Sequence, residues 1–130
     1  MSNEPAESEV IVLLAGDDKA RKKKIGRTER ITRDEWFPGG LVPDGLMRHE
    51  CSTTMPVTGQ DNYYAVFYDG HDRGKPNPIA KWIAKILRVK ATGNFVFCHK
   101  VWIDGEETNA DIRLTLQELK ALFSSGFNSF

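Results

Sequence analysis

The chain has 130 residues, 40% of them apolar and 28% charged, with 18 Lys and Arg set against 18 Asp and Glu. This size and mixture exclude wholesale disorder and fit a single domain, residues 1–130, with a real core. Zero net charge excludes a uniformly basic nucleic-acid binder, so any such role needs a local basic face. Two cysteines imply no disulfide framework, the acidic start lacks a leader-like apolar region, and no apolar run would span a bilayer, so a soluble cytoplasmic protein is expected.

Residues 1–8 read as an acidic arm. Residues 9–15, Glu-Val-Ile-Val-Leu-Leu-Ala, are of strand length and end at Gly16-Asp17-Asp18, a turn signal, so the chain can return as a second strand. The returning stretch, Lys19-Ala-Arg-Lys-Lys-Lys24, is too charged for a core and suits an exposed edge, where lysines deter unwanted pairing. A phosphate-binding patch is its functional reading, and a solvated edge is the commoner meaning of such a run on a neutral protein. Residues 33–45 carry Pro38-Gly39-Gly40 and Pro43-Asp44-Gly45, too many breakers for regular structure, with Trp36 and Phe37 expected to anchor them on the core. Residues 47–55 alternate as a strand, followed by a turn and then Tyr63-Tyr-Ala-Val-Phe-Tyr68 as its antiparallel partner. Residues 69–78 form a long polar loop, of a length that is often functional.

Residues 78–92 admit two readings. Asn77-Pro78 resembles a helix start and Ile79, Trp82, Ile83, Ile86 and Leu87 share a helical face, with Gly93 as a stop; Ile83, Leu87 and Val89 also satisfy a coarse strand alternation. Residues 94–104 are aromatic and β-branched and read as a strand, broken by Asp104-Gly105. The spacing of Ile112, Leu116, Leu119, Leu122 and Phe123 then predicts a helix over 108–126, capped by Thr108 with Asp111 and ended by Gly126. The fold class expected is α+β, an antiparallel sheet over 9–104 with an N-terminal hairpin and a C-terminal amphipathic helix.

Motifs for catalysis are absent: there is no phosphate loop, Gly-x-Ser-x-Gly elbow, His-Glu-x-x-His or Cys-x-x-Cys. Cys98 and His99 are adjacent on a strand and so face opposite ways, which disfavours a shared metal ion. Asp104, Glu106 and Glu107 would suit the positive end of a following helix as well as acid–base work. No enzyme, metal or cofactor is expected. With Tyr63, Ala65 and Phe67 turned to the core, Tyr64, Val66 and Tyr68 would point the other way, together with Val96, Cys98, Lys100 and Trp102. Alternation thus predicts a sheet face carrying Arg48, Ser52, Thr54, Tyr64, Tyr68 and Lys100, whose rings, hydroxyls and cations suit unpaired RNA bases and phosphates. An ordinary solvated face has the same composition. The run at 19–24 would then be an outer feature.

Taken in order, Ile11-Val-Leu-Leu-Ala-Gly16, Gly40-Leu-Val-Pro-Asp-Gly45, Ser52-Thr-Thr54, Asn62-Tyr-Tyr-Ala-Val-Phe67, a last strand and Glu118-Leu-Lys-Ala-Leu-Phe-Ser-Ser125 resemble the coat proteins of the single-stranded RNA bacteriophages. That resemblance implies a homodimer in which the helix packs on the partner's sheet, assembly into an icosahedral shell, and binding of single-stranded or hairpin viral RNA on the inner sheet face. It also implies a virion component made in the host cytoplasm, with no membrane or small-molecule partner. A second resemblance is to bromo-adjacent homology domains, carried by Asp61-Asn-Tyr-Tyr-Ala-Val66, Trp82-Ile-Ala-Lys-Ile86, Val101-Trp-Ile103 and Glu118-Leu119. It implies a nuclear chromatin reader that binds a histone tail or nucleosome, and it requires residues 79–90 to be a strand.

Overall fold

The structure is a computed structural model that describes residues 7–37, 45–52, 62–70 and 74–128. It is an α+β fold built on one antiparallel sheet. The strands are β1 (Glu7–Leu13), β2 (Arg21–Gly26), β3 (Leu46–Ser52), β4 (Asn62–Asp69), β5 (Phe95–Ile103) and β6 (Glu106–Ala110). They lie in the order β2-β1-β5-β4-β3, with β6 also paired to β5. β5 is long enough to serve two partners on one edge: Phe95–Phe97 pair with β1, and His99–Ile103 pair with β6.

Alternation along the strands sends apolar residues to both faces. On one face, Ile11, Leu13, Tyr64, Val66, Tyr68, Phe95 and Phe97 meet the helices α1 (Lys81–Leu87), entered through a 3-10 turn at Pro78–Ala80, and α2 (Leu116–Asn128). On the other, Val10, Val12, Tyr63, Ala65, Phe67, Val96 and Cys98 are covered by Ile25, Ile31, Trp36 and Phe37, so the aromatic pair anchors its irregular segment on the core. A sheet buried on both sides explains why β4 and β5 are almost continuously hydrophobic. Phe97 is the centre of the helix side, stacked on Trp82 at 5.4 Å and edge-on to Phe123 at 5.4 Å.

Several boundaries differ from the sequence expectations. Asp104 and Gly105 both have positive φ, 53° and 77°, so this pair does not end the sheet but turns it back as a two-residue hairpin into β6. Thr108 therefore lies in a strand, its hydroxyl donating to the Val101 carbonyl at 3.3 Å, and Asp111 accepts the Glu9 N–H at 2.7 Å. The helix starts later, where Thr115 Oγ1 accepts the Glu118 N–H at 3.1 Å and Glu118 Oε1 accepts the Thr115 N–H at 2.8 Å, a reciprocal capping box. It continues through Gly126 to Asn128. Residues 78–92 contain a helix, shorter than expected because Arg88 adopts the left-handed conformation, φ 61°. The first strand begins two residues early, at Glu7.

Leu119 and Phe123 are fully buried on this chain's own sheet. Replacing Leu119 by Ala should lower unfolding free energy by about 2–5 kcal/mol in urea titrations, and Thr115→Ala by about 1 kcal/mol. An unchanged midpoint for Leu119→Ala would mean that α2 is not docked on the sheet.

Candidate nucleic-acid interface

The register of β4 against β5 decides which side chains share a face. Tyr63 lies opposite Lys100 and Tyr64 opposite His99, one residue away from the arrangement that alternation alone suggested. A one-residue change of register exchanges faces. Arg48 and Lys100 therefore lie with Tyr63 and Phe67, whereas Tyr64 and Tyr68 are buried on the opposite, helix-covered face. Ser52 pairs with Tyr63 in the register, and Thr54 lies outside the described residues. The six residues expected together thus do not form one surface.

The Arg48 and Lys100 side is internally satisfied. The Arg48 guanidinium bonds both Glu107 carboxylate oxygens, at 3.1 and 2.7 Å, reaches Glu50 at 2.6 Å and donates to the Tyr63 hydroxyl. It also sits 5.2 and 5.3 Å from the Tyr63 and Phe67 ring centres. Burial opposes its charge, but the bond to Glu107 and the two carboxylates outweigh it and raise its pKa. Lys100 is only 6% exposed and donates to Asn109 Oδ1 at 2.6 Å. Burial lowers its pKa. Asn109 in turn donates to the Gly26 and Glu29 carbonyls, tying β6 to the segment that covers this face. These cations hold the fold together rather than awaiting a phosphate.

Burial likewise lifts the Cys51 thiol to about 11 and the Cys98 thiol to about 12, so both stay protonated and packed. Cys98 and His99 face opposite ways. Among the described residues no group of three His, Cys, Asp or Glu is placed to hold a metal ion, and no helix is long and apolar enough to cross a membrane.

The basic surface lies elsewhere. Residues 19–28 carry Lys19, Arg21, Lys22, Lys23, Lys24 and Arg27 without an acid, and residues 74–103 carry Lys75, Lys81, Lys85, Arg88 and Lys90 besides Lys100, again without an acid. All of these except Lys100 are exposed. The fold brings Lys19 and Arg21, at the start of the first run, to the end of the sheet where residues 75–93 lie, while the rest of that run follows β2 along the sheet edge until Lys24 stands opposite Glu9. Asn77 donates to the Leu13 carbonyl at 2.9 Å, and Asn94 Oδ1 accepts the Ala15 N–H at 2.8 Å, which sets the β1–β2 turn beside the approach to α1 and β5. Between them runs a groove of about 420 Å³ with an apolar lining that includes Ile79, Trp82 and Leu116 and with Lys19, Lys81 and Lys120 along it. Lys120 Nζ sits 5.6 Å from the Trp82 ring centre, and Asp18 in the same groove is 3.8 Å from Arg21. More acids lie toward the other end, with Asp104, Glu106 and Glu107 around the β5–β6 turn and Glu7 and Glu9 opening β1, where Glu9 stands opposite Lys24; Asp17 and Asp18 at the basic end pair with Arg21.

The lysines of 75–90 were not singled out by reading motifs. Their signal was the absence of Asp and Glu from thirty consecutive residues, 74–103, which a whole-chain charge of zero conceals. Compared with protein-family models, curated proteins and solved structures, the chain gives no match.

Two imidazoles lie on the helix side, His99 stacked on Tyr64 at 4.4 Å and His49 near Phe123 at 6.1 Å. Burial lowers both pKa values; the Asp111 carbonyl and carboxylate and Glu50 oppose this, while Arg113 adds to it at His99. A lowered histidine pKa means that the unfolded chain binds more protons, so this stability is complete above the ordinary value of 6.5 and is lost as pH falls below it. Glu29, held at about 2 by Arg33, keeps its contribution until pH falls through 4.5. Thermal midpoints should therefore drop between pH 7 and pH 5, and a His49→Gln/His99→Gln double variant should flatten that drop. An equally steep drop in the variant would assign it to other groups.

Proposed function

We propose that this protein is a non-enzymatic nucleic-acid-binding module that holds single-stranded RNA by its phosphates across the basic end of the sheet. The observation that carries the reading is a row of exposed cations along the β2 edge whose first members, Lys19 and Arg21, meet the exposed cations of 75–90, remote in sequence, at one end of the sheet of a neutral chain. Among the described residues, Lys22, Lys23, Lys24, Lys81 and Lys85 make no ion pair, so their charge is available to phosphate. A flexible strand can pass from the β2 edge to α1. The run at 19–24 becomes part of the site.

The coat-protein resemblance implied a dimer in which the C-terminal helix packs on the partner's sheet. Here α1 and α2 of the same chain cover one sheet face together. RNA binding is the half of that expectation which the charge distribution favours. The chromatin-reader resemblance needed a strand at 79–90, where the chain forms a 3-10 turn and α1.

Fluorescence anisotropy with a short labelled RNA tests the proposal. Binding should weaken as salt rises, with a slope of about 0.7 per phosphate neutralised on a single strand. A Lys22→Glu/Lys24→Glu variant should bind more weakly and lose at least about 1.4 of that slope. Full affinity and slope in the variant would remove the β2 edge from the site, and tighter binding to duplex than to single strand would contradict the class of ligand.

A further inference from the structure

Trp102 is 41% exposed and stands on the β5–β6 hairpin at the acidic end, opposite Glu107 in the register. Asp104 and Glu106 on the same hairpin tip are exposed as well. Glu107 is paired with Arg48, which leaves Asp104 and Glu106 as the open acids of this tip; an exposed tryptophan beside them is complementary to a groove with an apolar lining in which Lys19, Lys81 and Lys120 outnumber Asp18, and such a groove lies at the other end of the molecule. We propose that the Trp102 hairpin of one copy docks in the Trp82 groove of a second copy, with Asp104 and Glu106 facing Lys19, Lys81 and Lys120. A buried tryptophan removes about 150–250 Å² from water, and a groove of 420 Å³ is of the size that encloses a ligand group.

The geometry fixes the kind of assembly. Knob and groove sit at opposite ends of β5 and on opposite faces of the sheet, Trp102 on the Lys100 side and the groove beside Trp82 on the helix side, so a pair of copies cannot exchange them reciprocally, and each dimer still presents one free knob and one free groove. The contact is heterologous and grows into a ring or an open filament instead of closing as a two-fold dimer. Each added copy advances by at least the length of the nine-residue β5, roughly 30 Å. Electrostatic attraction between the two ends steers the encounter and weakens with salt.

Sedimentation velocity on the full chain tests this. Wild-type protein should sediment faster as its concentration rises from micromolar to millimolar, and less so in high salt. Trp102→Ala lacks the knob but keeps the groove, and Lys81→Glu/Lys120→Glu lacks the groove's charge but keeps the knob. Each variant alone should remain monomeric, with the circular dichroism of the folded protein, and an equimolar mixture should form dimers that grow no further. A wild-type monomer at every concentration, association that survives both variants, or a mixture that stays monomeric would each overturn the proposal. RNA affinity separates it from the function proposed above: Trp102→Ala should bind RNA as the wild type does, and Lys22→Glu/Lys24→Glu should still assemble.

Discussion

The carboxamide of Asn77 is the joint on which the charged surface depends. It is fully buried, and its Nδ2 donates to the carbonyls of Leu13, at 2.9 Å, and Gly93, at 2.7 Å, while its backbone N–H donates to Ala91 at 2.8 Å. One side chain thus fixes the end of β1, the entry to α1 and the approach to β5. The chain can come this close only because Gly74 has no side chain, since a Cβ there would lie 2.1 Å from the Gly93 Cα. Asn94 makes the matching tie on the other side, accepting from Ala15 and donating to the Trp36 carbonyl at 2.7 Å. These bonds are buried or partly buried, where losing one partner leaves the other unpaired at a cost of about 1–3 kcal/mol. The α1 lysines are held beside the β1–β2 turn for that reason.

A neutral protein can still present two strongly charged ends. Screening at physiological salt acts over about 8 Å, shorter than the sheet, so a ligand at one end feels the local charge and not the total. Arg48 and Lys100 are consumed internally, Arg48 by Glu107 and Glu50, and Lys100 by burial against Asn109. The cations at the β2 edge and on α1 are exposed. The proposed RNA site and the proposed contact between copies both rest on this partition of charge.

Much of the fold was legible in the chain. The apolar run before Gly16 and the charged return marked the first hairpin, Trp36 and Phe37 marked their own burial, and the period of Ile79 to Leu87 offered the helix beside a strand reading that α1 excludes. The site was less legible because it depends on register, which two hydrophobic strands with both faces buried leave open to a one-residue shift. Tyr64 and Lys100 were separated by that shift alone. Asp104-Gly105 carries a hairpin signal as well as a break, and the cap lies at Thr115 with Glu118 in place of Thr108 with Asp111. In both cases the correct local signal was present, and tertiary pairing of β6 with β5 selected it.

Amide chemical-shift mapping in NMR, with a short single-stranded RNA titrated into labelled protein, tests the central claim most directly because it locates the ligand residue by residue. The account predicts the largest changes at residues 18–24, 78–90 and around Lys120, with the β5–β6 hairpin unaffected. Changes centred on Arg48, Tyr63 and Lys100, or scattered without regard to the two basic runs, would contradict it.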